Sequence, residues 1–269
     1  MRFVHASLLV GAVVLLLEGN TAGGAGAAGG ATAEGRGASP SSSLPSKKSS
    51  NSGASAAKPE ARDGVFGVVT LSGPVPKLAP RPVISDVAIC GRADRPSPAL
   101  VLGKAREIGN VFVWLEGASG GPLPKGPFKI DQKGCAFEPY AQVVSKGVPV
   151  TILNSDPILH NVHATTVKGD ALFNQAIPIK GQSFKETFST PGVVRIKCDV
   201  HAWMNAWLFV ADSPFAAVTG KDGRFAFPGV PPGAYRLHAW HELFGEKVQS
   251  VVVPAGGVLK ADVTLSLAD

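Results

Sequence analysis

One short stretch of the chain carries a thiol, an imidazole and a thioether at fixed spacing. Cys198, His201 and Met204 follow one another in the pattern Cys-x2-His-x2-Met. Thiolate and thioether sulfur suit Cu(I), and imidazole suits both oxidation states of copper. Two histidines and one cysteine with a distant methionine form an electron-transfer copper arrangement. The stretch therefore predicts a copper site that still needs a second histidine.

The second histidine must come from elsewhere in the chain. His160 is the obvious source, while His163, three residues further on, is expected to be hydrogen-bonded inside the fold rather than to bind metal. Met204 is the only methionine besides the initiator, whereas methionine used as core filler would be scattered. We therefore predict that His160, Cys198, His201 and Met204 converge on one ion.

The cysteine count bears on the same site. The chain has three cysteines, and an odd number in an exported protein suggests one pair plus one thiol with another role. We expect a disulfide between Cys90 and Cys135, which leaves Cys198 for the metal. The rival pairings use Cys198 and would abolish the proposed site.

The beginning of the chain reads as a secretory signal. A short basic end precedes an apolar run at residues 6–17 that is brief for a membrane span. We predict a signal peptide over residues 1–22, with cleavage near Ala22 or at residues 25–27; an uncleaved anchor is the alternative. The Gly-, Ala- and Ser-rich residues 23–62 predict a disordered linker. The mature protein is thus expected to be periplasmic or secreted, without a membrane span.

The composition excludes few functions, but it bears on whether nucleic acid is a partner. The 269 residues are 45% hydrophobic, which is ample for a core, and the formal net charge is +6. Lys and Arg do not cluster, and no helix-turn-helix or RNA-binding signature is present. Nucleic acid is therefore not predicted as a partner.

From residue 65 onward the pattern predicts an all-β fold. Short β-branched or aromatic runs with turn residues at both ends indicate a sandwich or barrel. The expected strands are 65–71, 110–115, 136–144, 148–153, 159–165, 183–188, 193–197, 206–210, 233–240, 246–253 and 258–267, with a Lys-Asp-Gly hairpin turn at 221–223. We expect a copper domain at 63–212 and a small β-sandwich module at 213–269, with 63–76 able to pair with the module.

Two segments together resemble the cupredoxins, the type 1 blue copper proteins, in their amicyanin- and plastocyanin-like form. The His-Asn-Val-His segment at 160–163 is similar to the family's first ligand segment, and the stretch 198–204 is similar to its short ligand loop. The resemblance covers roughly residues 128–211 and implies a Greek-key sandwich with one type 1 copper ion. It implies nitrogen ligands from His160 and His201, thiolate from Cys198, an axial Met204, and Asn161 tying the ligand segments together.

The ligand loop also departs from that pattern. Amicyanin-like loops often carry proline after the second histidine, where this chain has Ala202, so the resemblance does not imply a reduction potential. Trp203 is expected to help form an apolar collar around an exposed edge of His201, the usual electron exit in the family. Core packing of Trp203 is the alternative.

A second resemblance concerns the end of the chain. Residues 222–237 look like the later half of carboxypeptidase-regulatory-like, transthyretin-type β modules, and the strand near Gly67 is similar to their opening. The copper domain would then be an insertion between two halves of a module, and the name implies no peptidase activity. The roles of His238 and His241 stay open; a second metal or docking site at Trp240-His241-Glu242 is one reading.

Two functions fit these features. The first is an exported carrier of single electrons, with a c-type cytochrome or a periplasmic dehydrogenase as the partner that the family suggests. The alternative is a non-redox binding module of the cell envelope, with copper in a storage, delivery or structural role. Catalysis is not predicted, because six histidines and a single cysteine in the loop are too few for a multi-copper centre.

Overall fold

The computed structural model describes residues 64–267, which are almost entirely β-structure. The signal peptide predicted over 1–22 and the linker predicted over 23–62 lie outside the described residues. The elements are β1 (Gly64–Leu71), α1 (Val87–Cys90), β2 (Phe112–Glu116), β3 (Phe128–Gln132), β4 (Phe137–Glu138), β5 (Ala141–Ser145), β6 (Val150–Asn154), β7 (His160–Thr166), β8 (Ala171–Ile177), β9 (Ser183–Glu186), β10 (Gly192–Lys197), β11 (Asn205–Ala211), β12 (Ala216–Val218), β13 (Arg224–Pro228), β14 (Gly233–His241), β15 (Gly245–Val253), β16 (Val258–Lys260) and β17 (Val263–Leu265). The all-β prediction is confirmed.

Two of the four sheets within residues 64–267 form what we call the first sandwich. Their strand orders are β5-β11-β10-β7-β8 and β4-β3-β6-β9. Alternate side chains of each sheet point inward, and the shared core includes Ile130 and Ile152 from one sheet and Val162, Ile196 and Leu208 from the other. The non-sequential strand orders bring β7 and β10, which are distant in the chain, side by side.

The other two sheets form the second sandwich. One has the order β13-β1-β16, with β17 also paired to β1, and the other has the order β12-β2-β14-β15. Its core includes Val69, Val113, Phe225, Leu237 and Val263. Strands β1 and β2 therefore hydrogen-bond with C-terminal strands, and the first sandwich is formed by the chain between them. The predicted division into domains at residue 212 remains a prediction.

An aromatic cluster joins the two sandwiches. Phe112 of β2 and Phe209 of β11 have ring centroids 5.9 Å apart, and Trp207 of β11 lies 4.9 Å from Trp240 of β14. Aromatic pairs at such separations stabilise beyond the area that they bury. This contact fixes β11, which directly follows the Cys-x2-His-x2-Met stretch, against the second sandwich.

Three predicted elements differ from the structure. The turn at 221–223 exists, and Gly223 has φ +65° where a Cβ would lie 2.5 Å from a backbone oxygen. However, it carries the chain from β12 in one sheet to β13 in another, so the predicted hairpin pairing is wrong. The expected strands 136–144 and 258–267 are each split in two.

Candidate metal centre

The loop between β10 and β11 is closed by its own backbone. The N–H of Cys198 donates to the carbonyl of Met204 at 3.2 Å, and the N–H of Met204 donates to the carbonyl of His201 at 2.8 Å. Because β10 and β11 pair antiparallel up to Lys197 and Asn205, the loop is short and its ends are fixed. The three predicted ligands of this loop are thus confined to one end of the first sandwich.

Strand β7 brings the fourth predicted ligand to the same end. It pairs antiparallel with β10, with His163 opposite Lys197, so His160 at the start of β7 lies beyond the end of β10. The ligand atoms of His160, Cys198 and His201 lie within 4.8 Å of one another. All three side chains are buried, with at most 2% of their surface exposed.

The three donor atoms face one another. Nδ1 of His201 lies 2.9 Å from Nδ1 of His160 and 3.8 Å from Sγ of Cys198. Zinc, another first-row ion, binds thiolate at about 2.3 Å and imidazole at about 2.0–2.1 Å, which separates such donors on one ion by roughly 3 to 4 Å. The observed spacing therefore fits a single metal ion.

The outer nitrogen of each histidine is held by a carboxylate. Nε2 of His160 lies 3.0 Å from Oδ2 of Asp156, and Nε2 of His201 lies 2.8 Å from Oδ2 of Asp86. An ionised carboxylate only accepts hydrogen bonds, so each Nε2 carries the proton. With the proton at Nε2, each ring has its lone pair at Nδ1, and the two Nδ1 atoms face each other and the sulfur of Cys198, so one cation could bind all three.

Burial and hydrogen bonding set the charges of His160 and Asp156. Burial lowers the pKa of His160 and outweighs the hydrogen bond with Asp156, which by itself would raise it. The lowered pKa favours the neutral ring that metal binding requires. Burial alone would raise the pKa of Asp156, but hydrogen bonds from the N–H groups of Cys135 and Gly134 and from His160 lower it below its ordinary value. The carboxylate therefore stays ionised.

Met204 and Trp203 are both buried in the core of the first sandwich. The Trp203 ring lies 4.9 Å from the ring of His201, and its indole N–H donates to the carbonyl of Cys135 at 3.1 Å. His201 has no exposed surface. The expected exposed edge of His201, with Trp203 as its collar, is therefore wrong: Trp203 packs inside, and Asp86 occupies the outer edge of the ring.

Asn161 lies between the two segments that carry ligands. Its Oδ1 accepts from the N–H of Asp199 at 2.6 Å, and its amide donates to Asn174 at 2.6 Å. Burial alone would raise the pKa of Asp199, but hydrogen bonds from Lys197, His163, Asn174 and Asn161 lower it to about 2. Asn161 thus connects the start of β7 to the residue after Cys198.

The remaining residues predicted at or near the site are also placed. His163 faces away from the donor atoms, with Nδ1 2.8 Å from Oδ2 of Asp199. Cys90 and Cys135 form a disulfide, and Cys198 is free and buried. Cys135, Asp156 and His160 also lie close together, but the sulfur of Cys135 is taken up by the disulfide.

Sequence reasoning missed the two carboxylates. Asp156 had a usable signal, since it lies four residues before His160 in a turn rich in polar residues. Asp86 had none, because it comes from a loop 115 residues before His201. Its position depends on the path of the whole segment between β1 and β2.

The histidines of the second sandwich have different surroundings. His238 lies between two glutamates, with Nδ1 2.7 Å from Glu246 and Nε2 2.7 Å from Glu116. His241 is buried against Phe244, with ring centroids 4.8 Å apart. Neither belongs to a group of three metal-binding side chains within residues 64–267.

Comparisons with known proteins find one family model that matches part of the chain and partial likenesses to solved structures. Residues 205–266 match the model of the carboxypeptidase regulatory-like domain, which covers most of the C-terminal strands. No curated protein matches the chain.

Within residues 64–267 no helix has the length and apolar character that crossing a bilayer requires.

Solved cupredoxins are partly similar to the chain. A purple cupredoxin from Nitrosopumilus maritimus has 24% identity and a TM-score of 0.29, over 31% of this chain and 99% of its own. The Cu(I) form of an amicyanin mutant has 23% identity and a TM-score of 0.30, over 37% and 98%. At these TM-scores the likeness does not bear on function, and the case for a metal depends on the donor atoms themselves.

Proposed function

We propose that this protein is an exported cupredoxin that binds one type 1 copper ion and carries single electrons between redox partners of the cell envelope. His160, His201 and Cys198 would hold the ion, with Met204 as a weak fourth donor. The single observation that carries the proposal is the buried convergence of two Nδ1 atoms and one thiol at 2.9 and 3.8 Å.

The donor set favours copper over harder ions. Hard cations such as magnesium and calcium take oxygen ligands, and here both neighbouring carboxylates are hydrogen-bonded to histidine rather than turned to the donor atoms. Two imidazoles and one thiolate suit copper in both oxidation states. A copper ion bound there would supply the one-electron couple.

The residues around the site hold the donor side chains in place and keep water away from them. The backbone bonds of the loop fix Cys198 and Met204, and Asn161 ties the loop to β7. Because these side chains are buried and held, they would move little when a bound ion changed its charge, and small movement favours fast electron transfer. Trp203 packs on His201 and excludes water from that side.

The same burial argues against catalysis in this chain. Among the described residues, the donor atoms have no open approach for a substrate, because His160 and His201 have no exposed surface. A catalytic metal site keeps an open position for water or substrate. We therefore infer a carrier rather than an enzyme. We also propose a periplasmic or secreted location, and a c-type cytochrome or periplasmic dehydrogenase as partner.

The first experiment is a spectrum of the purified protein after addition of copper. We expect an intense visible thiolate-to-copper absorption that bleaches on reduction and returns on oxidation, with a matching EPR signal. Cys198→Ser removes the thiolate and should abolish the band, while His163→Gln, a nearby polar change outside the donor set, should retain it. No visible band in the unchanged protein, or an unchanged band in Cys198→Ser, would contradict the proposal.

One observation favours the alternative function. The outer edge of His201 is covered by Asp86 rather than exposed, so a redox partner cannot touch the ring directly. A non-redox envelope module that stores, delivers or structurally uses copper would not need direct contact between a partner and the ring. Tight Cu(I) binding without a reversible visible band, and no electron transfer to a c-type cytochrome in stopped-flow mixing, would support this alternative.

A further inference from the structure

Two aspartates and a disulfide surround the donor atoms in one connected arrangement. Asp86 and Asp156 each hold the outer nitrogen of one histidine. Asp86 directly precedes α1, which ends at Cys90, and the N–H of Cys135 donates to Asp156. Cys90 and Cys135 form the disulfide. We infer that Asp86 and Asp156 are positioning residues for the metal ligands, and that the Cys90–Cys135 disulfide keeps Asp86 in place; this rests on the metal site proposed above.

Asp156 is held from several sides. The N–H groups of Gly134 and Cys135 donate to its two carboxylate oxygens, each at 2.7 Å. Both residues have positive φ, +59° and +57°, and successive N–H groups in such a turn form a concave binding place for an anion. The backbone N–H of Asp156 also donates to Asn154 at 2.9 Å. These contacts fix the carboxylate before any metal binds.

Asp86 is held much less. Its side chain is 41% exposed, and within residues 64–267 its carboxylate has His201 as its hydrogen-bond partner. Its carbonyl accepts from the N–H groups of Ile89 and Cys90 at 2.9 and 2.8 Å, which ties it to α1. The segment from Ser72 to Val111 contains only this four-residue helix and isolated bridges. Asp86 therefore depends on whatever fixes α1.

The disulfide supplies a covalent anchor for α1, beside the hydrogen bond that Arg95 donates to the carbonyl of Cys90 at 2.6 Å. Cys90 is the last residue of α1 and bonds covalently to Cys135. Cys135 is itself part of the site surroundings, because its N–H donates to Asp156 and its carbonyl accepts from Trp203. One covalent link thus connects the aspartate over His201 to the turn that holds the aspartate over His160.

The arrangement has a definite chemical effect. An N–H···carboxylate bond at Nε2 fixes the tautomer, aims the Nδ1 lone pair and makes the ring a stronger donor. Because the same contact is made at both histidines, both Nδ1 atoms are directed toward the thiol before metal arrives. Partners of this kind change metal affinity about 10- to 100-fold when they are removed.

The difference between the two aspartates gives a sharper expectation. Asp156 keeps its backbone donors from Gly134 and Cys135 whether or not the sulfur bond exists, since these depend on the turn itself. Asp86 loses the covalent anchor of α1 when the bond is absent. A protein with Cys90→Ala and Cys135→Ala should therefore reproduce the metal-binding defect of Asp86→Asn.

The experiment compares the affinity for Cu(II), and for Co(II) as a second probe, by chelator competition in the full chain. We expect Asp86→Asn, Asp156→Asn and the double alanine variant to bind about 10- to 100-fold more weakly, with altered EPR parameters. Glu116→Gln is the matched control, because it removes the charge of a carboxylate on Nε2 of His238 and should leave affinity unchanged. Circular dichroism of the metal-free proteins checks that each variant is folded.

A second measurement separates positioning from a general loss of structure. In the metal-free protein, nitrogen NMR should show His160 and His201 protonated at Nε2. Asp156→Asn should disturb the tautomer of His160 more than that of His201, and Asp86→Asn should do the reverse. If the unchanged protein binds metal and the aspartate variants match it, this inference alone is wrong. If the unchanged protein binds no metal, the proposed function is wrong as well.

Discussion

His201 in the first sandwich and His238 in the second both lie against carboxylates, but they differ in their second nitrogen. His201 has Asp86 at Nε2, while its Nδ1 faces the other donor atoms. His238 has Glu116 at Nε2 and Glu246 at Nδ1, both at 2.7 Å. A histidine can bind metal only through a nitrogen with a free lone pair, so the first arrangement suits a ligand and the second does not.

The second arrangement has a structural role. Glu116, His238 and Glu246 lie on the adjacent strands β2, β14 and β15, so the ring bridges three strands of one sheet. The ring also stacks on Trp114 with centroids 4.6 Å apart, and Arg236 adds an ion pair to Glu116 at 2.9 Å. A carboxylate beside a histidine is therefore not by itself a sign of a metal site.

The largest expected effect tests this contrast directly. Changing His160→Gln removes one of three strong donors from the first sandwich, and we expect Cu(II) affinity to fall at least about 100-fold, more than for loss of an outer partner. The visible absorption should be lost with it. Chelator competition and absorption spectra of the purified variant measure both.

The matching change in the second sandwich is His238→Gln. It removes the bridge between three strands but no lone pair that faces a metal, so we expect reduced thermal stability with unchanged copper affinity. Equal loss of affinity in both variants would mean that the two histidines are not distinguished by their free nitrogen, and the comparison would be wrong.

The grouping of the candidate donor residues could be predicted because the information for it is local. Cys198, His201 and Met204 lie within one turn, and His160 occurs in a recognisable His-x2-His segment. The position of Asp86 could not be predicted, since it depends on a helix that is tied by a disulfide to a distant turn. The buried state of His201 follows from Asp86, so the expectation of an exposed edge failed for the same reason.

The fold shows the same division between local and distant information. Strands with clear alternation, such as β10, were predicted within about one residue at their ends. Strand β8 was missed because its residues, from Ala171 to Ile177, are mostly exposed and alternate poorly. The pairing of β1 with β13 joins residues far apart in the chain, which periodicity alone does not specify.

A third histidine extends the comparison to pH. His241 is buried, accepts from the N–H of Leu243 at its Nδ1, and has no carboxylate partner in the described range. Burial lowers its pKa from 6.5 to about 4. Between these values the unfolded chain takes up a proton that the folded chain resists, so stability should fall as the pH drops from about 6.5 to about 4.

The change His241→Asn should remove this contribution while its side-chain oxygen still accepts from Leu243. We expect the difference in free energy of unfolding between about pH 7 and about pH 4 to shrink by on the order of 3 kcal/mol. Urea denaturation at the two pH values measures it. A pH dependence equal to that of the unchanged protein would show that His241 does not contribute.

The smallest expected effect compares two side chains that tie backbones together. Asn161 accepts from the N–H of Asp199 beside the candidate metal centre. In the second sandwich, Thr219 accepts from the N–H of Val111 at 3.0 Å and donates to the carbonyl of Ile108 at 2.7 Å. Both side chains are buried, and removing either leaves backbone groups without a partner.

We therefore expect Asn161→Ala and Thr219→Val each to lower the free energy of unfolding by about 1–3 kcal/mol. The spectroscopic outcome should differ, because Asn161 fixes the residue after Cys198 while Thr219 fixes the start of β2 in the other sandwich. Asn161→Ala should shift the visible absorption and the EPR signal of the copper-loaded protein, and Thr219→Val should leave both unchanged. A shifted spectrum in Thr219→Val would show that the two sandwiches are coupled through their aromatic contact, rather than independent in their effect on the ligands.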